Sequence, residues 1–259
     1  MREVVLTYHS WISSHRYRVL VPQSWSELSS DQFLQVIRYI LGLSSEAKLF
    51  ASVLGIRMRL IKRIDTFLLY KLGELLSFLH DDHISLDHFI IPTIKSDRQT
   101  LYSPSVRLSD VSLQQFMSAD TFFSFFVLTK RDEFLDKLVA SLYLAKGETF
   151  VIRNNKSHLV DIDHKCFAIK KIPYAIRYAV FINWSFIKTW LGRLYPYMFP
   201  PGDSDTDKDK HSKPQAPDWL TLFDNFVGDN IPDMQAYQAM PCMDAFRIIN
   251  RKIKENSKK

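Results

Sequence analysis

The sequence predicts a mainly α-helical protein with minor β structure: an N-terminal β-hairpin, then a multi-helix orthogonal bundle, then C-terminal helices after a flexible loop. Three observations lead there. Apolar–polar alternation is confined to short runs near the N-terminus. Elsewhere apolar residues recur every three to four positions, between Ser or Pro starts and Gly stops. Residues 200–217, "PPGDSDTDKDKHSKPQAP", hold almost no apolar side chain and break the pattern before its last two periodic segments.

Each element follows in order. "EVVLTY" (3–8) and "RYRVLVP" (16–22) alternate with β-branched enrichment and read as a hairpin, which Pro22 ends. In "LVPQSWSELSSDQFLQVIRYIL" (20–41), Ser29 stands at an N-cap with Gln32 at the capping-box position. Leu28 and Phe33 occupy the hydrophobic-staple positions around it. Phe33, Val36, Ile37, Ile40 and Leu41 then share one helical face, and Gly42 ends the helix. The phrase recurs as "VSLQQF" (111–116): apolar, Ser, two residues, Gln, Phe. The downstream sequences do not align, so this is shared capping chemistry and not a duplication.

A short helix over 45–54 closes at Gly55, and a long one over 59–79 carries Leu60, Ile64, Phe67, Leu68, Leu72, Leu75 and Leu79 in one stripe. "HFIIPTIKSDRQTLYSP" (88–104) breaks the helical pattern and reads as a second small hairpin around "KSDR". Helices are expected at 113–128 and 131–145, a short strand at 148–154, and a helix opened by Pro173 that runs to about 195. Asp218 is the expected N-cap of one C-terminal helix, and Pro241 the N1 residue of the last. The expected organisation is a hairpin and corner over 1–28, a helical core over 29–199, a flexible linker over 200–217 and a helical segment over 218–259. The linker assignment is energetic: so polar a segment buries too little surface to offset its ordering entropy.

Composition narrows the function. Of 259 residues, 46% are apolar and 24% charged, as in an ordinary globular protein, and 19 Phe promise a bulky core. The net charge of +6 is local, because "RKIKENSKK" alone carries +4. A near-neutral body with a basic tail is not a basic face built for a duplex. The tail reads first as a helix C-terminus favoured by the macrodipole. The alternative is a nucleic-acid contact through Arg251, Lys252, Lys254, Lys258 and Lys259. Cys166 and Cys242 show no metal or redox spacing. "MREVVLTYHSW" has no apolar core of a signal peptide. "YAIRYAVFINWSFIKTWLGRLY" is interrupted by Arg177, Lys188 and Arg193, too often for a membrane span. A cytosolic protein with no membrane partner is expected.

No catalytic motif is evident. The seven Gly residues form neither GxGxxG nor GxxxxGK[ST], so no phosphate cradle and no cofactor are expected. "LHDDHISLDHF" gathers His80, Asp81, Asp82, His83, Asp87 and His88, which have metal-ligand chemistry. The preferred reading is a solvated turn with capping Asp residues, since His83 and His88 are spaced off one helical face and no distant partner ligands stand out. In "DIDHKC" (161–166), proximity of His164 to Cys166 is no support for a nucleophile, because such sites draw members from distant segments. "ADTFFSFFVL" (119–128) reads as core, not as a base-stacking platform, because no Lys or Arg interleaves with its rings.

"VPQSWSELSSDQF" (21–33), "FMSADTFF" (116–123), "LDKLVASLY" (135–143) and "LYPYMF" (194–199) resemble, in that order, a poorly characterised family of proteins encoded in phages and prophages of Bacteroidetes-type bacteria. The resemblance implies a strand-led helical protein encoded near tail-morphogenesis genes, hence a tail assembly chaperone or a minor virion-associated interaction protein in the bacterial host cell. It implies a phage tail or other virion structural protein as partner, and no catalytic residue. The competing expectations are a nucleic-acid-binding accessory protein and a metal-dependent hydrolase. The stripe Met243, Phe246, Ile249 and Ile253 of the last helix is the expected partner-binding face, docked on the chain's own body when the partner is absent.

Overall fold

A computed structural model describes residues 1–9, 14–61, 66–81, 84–96, 99–150, 157–200, 219–228 and 234–257. Among these residues it is mainly α-helical, with two small antiparallel sheets. The chain forms two compact units, Met1–Ile84 and Ser85–Lys259. The division falls at neither 28 nor 200–217, and the C-terminal helices belong to the second unit. Most of residues 200–217, together with Asp218, lie outside the described residues.

In the first unit, β1 (Arg2–His9) and β2 (Ser14–Val21) pair antiparallel, from Arg2 opposite Val21 to His9 opposite Ser14. Val19 and Val21 turn inward while Arg16, Arg18 and Leu20 are exposed, the period-two division that the alternation predicts. A single turn at Trp25–Glu27 leads into α1 (Ser30–Ile40). Ser29 caps α1 as expected: its hydroxyl accepts from the Gln32 N–H at 3.3 Å, and Gln32 Oε1 accepts from the Ser29 N–H at 2.8 Å. Leu28 and Phe33 are both buried. Trp25 donates Nε1–H to the Phe78 carbonyl at 2.9 Å and meets Phe33 and Phe78 edge-on.

Helix α1 stops at Gly42 and α2 (Glu46–Val53) at Gly55, both in the left-handed region with φ of 70° and 65°. Two bonds close each end: Gly42 N–H to Tyr39 O and Leu43 N–H to Arg38 O, then Gly55 N–H to Ser52 O and Ile56 N–H to Ala51 O. This is the Schellman arrangement, which a Cβ would strain. Within the predicted helix 59–79 the described residues form α3 (Met58–Ile61), α4 (Thr66–Leu75) and a turn at Ser77–His80, and residues 62–65 lie outside the described residues. Of its stripe, Leu72 is fully buried and Leu75 and Leu79 half-buried, while the side chains of Ile64, Phe67 and Leu68 lie outside the described residues.

The second unit opens with the expected small hairpin, β3 (Thr93–Ser96) and β4 (Gln99–Tyr102). Its third strand, β5 (Leu144–Ala145), precedes the predicted 148–154 and pairs with β4 over two residues only. Helices α5 (Leu113–Thr129), α6 (Asp132–Leu142) and α8 (Tyr174–Leu194) follow the sequence, and α7 (Ser157–Ile169) fills a stretch with no predicted element. After α9 (Trp219–Val227) and the unpredicted α10 (Met234–Ala239) comes α11 (Cys242–Asn256). Pro173 and Pro241 stand at the N-caps of α8 and α11, one residue outside the helix.

Phe116 centres this unit. Its ring meets Trp184, Trp219, Phe246 and Phe199 at centroid distances of 5.3, 5.5, 4.6 and 6.1 Å. The C-terminal segment is also tied by backbone: Leu113 N–H donates to Met240 O at 2.8 Å, and Cys242 N–H to Val111 O at 2.9 Å. Several buried polar groups are matched across elements. Asn183 accepts from the Ile90 N–H and donates to His88 O, and the Tyr143 hydroxyl donates to Ile91 O. Asp136 pairs with Arg177. Burial holds the Asp136 carboxyl above its ordinary pKa even though the Arg177 bond pulls the other way.

A candidate protein-binding groove

A cavity of about 750 Å³ opens in the first unit, lined by α1, α2, α3, α4 and the turn after α4. Its lining includes Val36, Leu49, Ile61 and Leu76, all buried. Phe50 is half-buried beside Gly73, where a Cβ would stand 3.7 Å from its Cζ. Tyr39, Ile40 and Tyr70 line it too and are 42%, 54% and 69% exposed. Ile40 therefore departs from the predicted buried face of α1, which turns inward only at Phe33, Val36 and Ile37. The lining also holds two carboxylates, Glu46 and Glu74, and the imidazole of His80, with no Lys or Arg among the described residues that form it. The walls are apolar side chains on helices. Ser77 and His80, both exposed, stand at its rim in the turn after α4, and no hydrogen bond joins their side chains among the described residues.

A second cavity of about 620 Å³ lies in the other unit, beside the starts of α5 and α11. Several of its polar groups are already engaged. Asp110 accepts from the backbone and hydroxyl of Ser105, and Gln115 donates to Ser141 O. Glu148 Oε2 accepts from the Ala145 N–H and from Lys165 Nζ. Burial lowers the Lys165 pKa, with the Glu148 bond opposing. That ammonium serves as a clamp on the end of β5.

The residues singled out in the sequence separate in the structure. Phe246 and Ile249 are buried in the second unit, Met243 and Ile253 half-buried. Phe246 packs against Phe116, Tyr195 and Phe199. The α11 stripe is thus docked on its own body. Of the basic tail, Arg251 faces Glu255 at 4.0 Å, Lys252 Nζ lies 5.3 Å from the Phe226 ring centre, and Lys254 Nζ lies 5.6 Å from that of Tyr197. Lys258 and Lys259 lie outside the described residues.

His80 and Asp81 fall in the first unit, Asp87 and His88 in the second, and Asp82 and His83 outside the described residues. Asp87 is held below its ordinary pKa, chiefly by the His88 bond at 2.9 Å and further by Arg107. Among the described residues no group of three or more His, Cys, Asp or Glu is placed to hold a metal ion. Cys166 is buried, its thiol pushed up to about 12 by burial, while His164 is exposed and Asp163 pairs with Lys137. Such a thiol is protonated at neutral pH and inert as a nucleophile.

The run "ADTFFSFFVL" is only partly core. Phe126 is buried, but Phe122 and Phe123 are half-buried and Phe125 is exposed. Phe125 stacks on Phe134. The cations over these rings, Arg131, Lys137 and Lys188, face Glu133, Asp163 and Asp120 respectively. Among the described residues no helix is long and apolar enough to cross a membrane.

The groove residues were hidden in the sequence. Ile40 obeys the stripe by spacing, and nothing local marks it as uncovered. The one available signal is that Tyr39 and Ile40 adjoin at the end of α1, so two large side chains leave the helix in different directions. Comparison with known protein families, with curated proteins and with solved structures gave no match.

Proposed function

We propose that this chain is a non-enzymatic interaction protein of a phage or prophage, acting in the bacterial cytoplasm as a tail assembly chaperone or minor virion-associated component. The open apolar groove of the first unit carries the reading. Large apolar side chains held at an open cleft invite a partner that covers them. The buried thiols and the paired Asp136, Asp120 and Glu148 carboxylates are in keeping with that reading. The partner class, a tail or other virion structural protein, comes from the resemblance of the four packing motifs.

The test is site-specific photocrosslinking. A benzophenone amino acid replaces Tyr39 or Tyr70 in the full chain, expressed in the host during particle assembly. The expected outcome is a covalent adduct to one virion structural protein, identified by mass spectrometry and lost when the label is moved to exposed Arg18. Adducts to no virion protein, or equal adducts from Arg18, would remove the proposal.

A further inference from the structure

We infer that the occupant of the groove is an amphipathic α-helix whose apolar face is flanked by Lys or Arg; this rests on the groove being a partner site. The first reason is backbone accounting. The walls are helices, whose interior N–H and C=O groups are spent within their own turns. The buried lining side chains Val36, Leu49, Ile61 and Leu76 offer no hydrogen bonds either. A segment entering such a cleft must satisfy its own backbone, which a helix does and an extended strand does not.

The second reason is charge. Glu46 and Glu74 are both exposed at the groove and engaged in no ion pair among the described residues. The described lining holds these two carboxylates, no Lys or Arg and a single imidazole, His80, so carboxylates predominate: a basic flank meets two of them, and an acidic flank meets their repulsion. Tyr39 and Tyr70 suit the same partner. An exposed Tyr presents an apolar ring with a polar tip, and its face attracts a cation. Because the carboxylates are exposed, each pairing contributes little, and the charges select the partner more than they strengthen its binding.

Two labelled helical peptides with the same leucine stripe, one flanked by Lys and one by Glu, test this with the full-length protein by fluorescence anisotropy. Two exposed pairings correspond to a preference of roughly tenfold for the Lys-flanked peptide. The double variant Glu46→Lys/Glu74→Lys should reverse the order, and Ile40→Asp should abolish binding of both. All three changes are at exposed positions, so circular dichroism should show an intact fold. Equal binding, an order that charge reversal leaves unchanged, or binding that survives Ile40→Asp would each overturn the inference. So would a concentration-dependent dimer, seen by sedimentation, that Ile40→Asp dissolves, since the occupant would then be a second copy. The two failures are separable. A virion protein crosslinked through an acidic or extended segment sinks this inference and leaves the proposed function. A preference for the Lys-flanked peptide that the double variant reverses, with no virion adduct, does the opposite.

Discussion

"LSSDQF" at the start of α1 and "VSLQQF" at the start of α5 are one phrase in two settings. In both, Ser caps its own helix: Ser29 Oγ accepts at 3.3 Å and Ser112 Oγ at 3.2 Å. In both, the Gln amide reaches a different helix and donates to a carbonyl in its last turn, Gln32 to Val53 O at 2.9 Å and Gln115 to Ser141 O at 2.8 Å. Those carbonyls belong to the group that a helix end leaves without an intrahelical partner. One short phrase thus starts one helix and finishes another. The settings differ in depth. Gln32 is half-exposed and also closes the capping box, whereas Gln115 is buried. Phe33 meets Trp25 edge-on, whereas Phe116 meets four aromatic rings. The local chemistry is written in the phrase, and its energetic weight comes from the surroundings.

The largest test of that difference is truncation of the two Phe residues. Phe116→Ala should cost about 4 kcal/mol and Phe33→Ala about 3, since a core Phe leaves a cavity and aromatic pairs add to it. Denaturant unfolding with near-ultraviolet dichroism would measure both. An equal or smaller cost at Phe116 would break the claim that the second setting is the deeper.

Alkaline titration should separate the two settings next. Burial pushes the Cys242 thiol up to about 12 from an ordinary 9.0, and Cys242 N–H donates to the carbonyl of Val111, the first residue of the second phrase. The folded state therefore keeps a proton that the unfolded chain gives up. This contribution is fully present below about pH 9 and is lost as pH rises through about 12, amounting to a few kcal/mol. Met1–Ile84 contains no Cys. Hydrogen exchange between pH 8 and 11 should show the amides of α5 and α11 losing protection before those of α1. Simultaneous loss would count against the thiol as the cause.

The same contrast explains what was legible. Both capped starts, both Gly-terminated helices and the hairpin at 93–102 follow from residues within a few positions of one another, so local rules suffice. The strand at Leu144–Ala145 is two residues long and exists only because β4 offers it a partner. Helix α7 mixes polar and β-branched residues with no strong period, and packing against α6 supplies what propensity lacks. The division at Ile84/Ser85 has no composition shift to announce it. Ile40 has the spacing of a core residue, and only its exposure, with no described element over it, makes it part of a groove.

A smaller effect is expected at the two Gln residues. Gln115→Ala leaves a buried carbonyl end short of its donor and should cost about 2 kcal/mol. Gln32→Ala, at a half-exposed site where water can replace the amide, should cost about 1. Equal values from chemical denaturation would mean that burial does not decide the weight of this bond.

The smallest expected difference is at the Ser caps, and it is the sharpest check on the phrase as a unit of local chemistry. The two hydroxyls accept from the N3 amide at nearly the same distance, although Ser29 is exposed and Ser112 half-buried. An N-cap bond satisfies a donor at the very end of a helix, so its worth depends on the cap geometry more than on what packs around it. Ser29→Ala and Ser112→Ala should therefore each cost about 1 kcal/mol, alike to within about 0.5, and the Gly variants only a few tenths. Ser112 has one further constraint, since its neighbours Val111 and Leu113 bond Cys242 and Met240 and hold the chain in the cap conformation. That constraint would survive the loss of the hydroxyl, so it works toward a smaller cost at Ser112, never a larger one. A Ser112→Ala cost well above that of Ser29→Ala would show that the second cap draws its strength from its surroundings, and the separation between local chemistry and tertiary weight would fail at its simplest point.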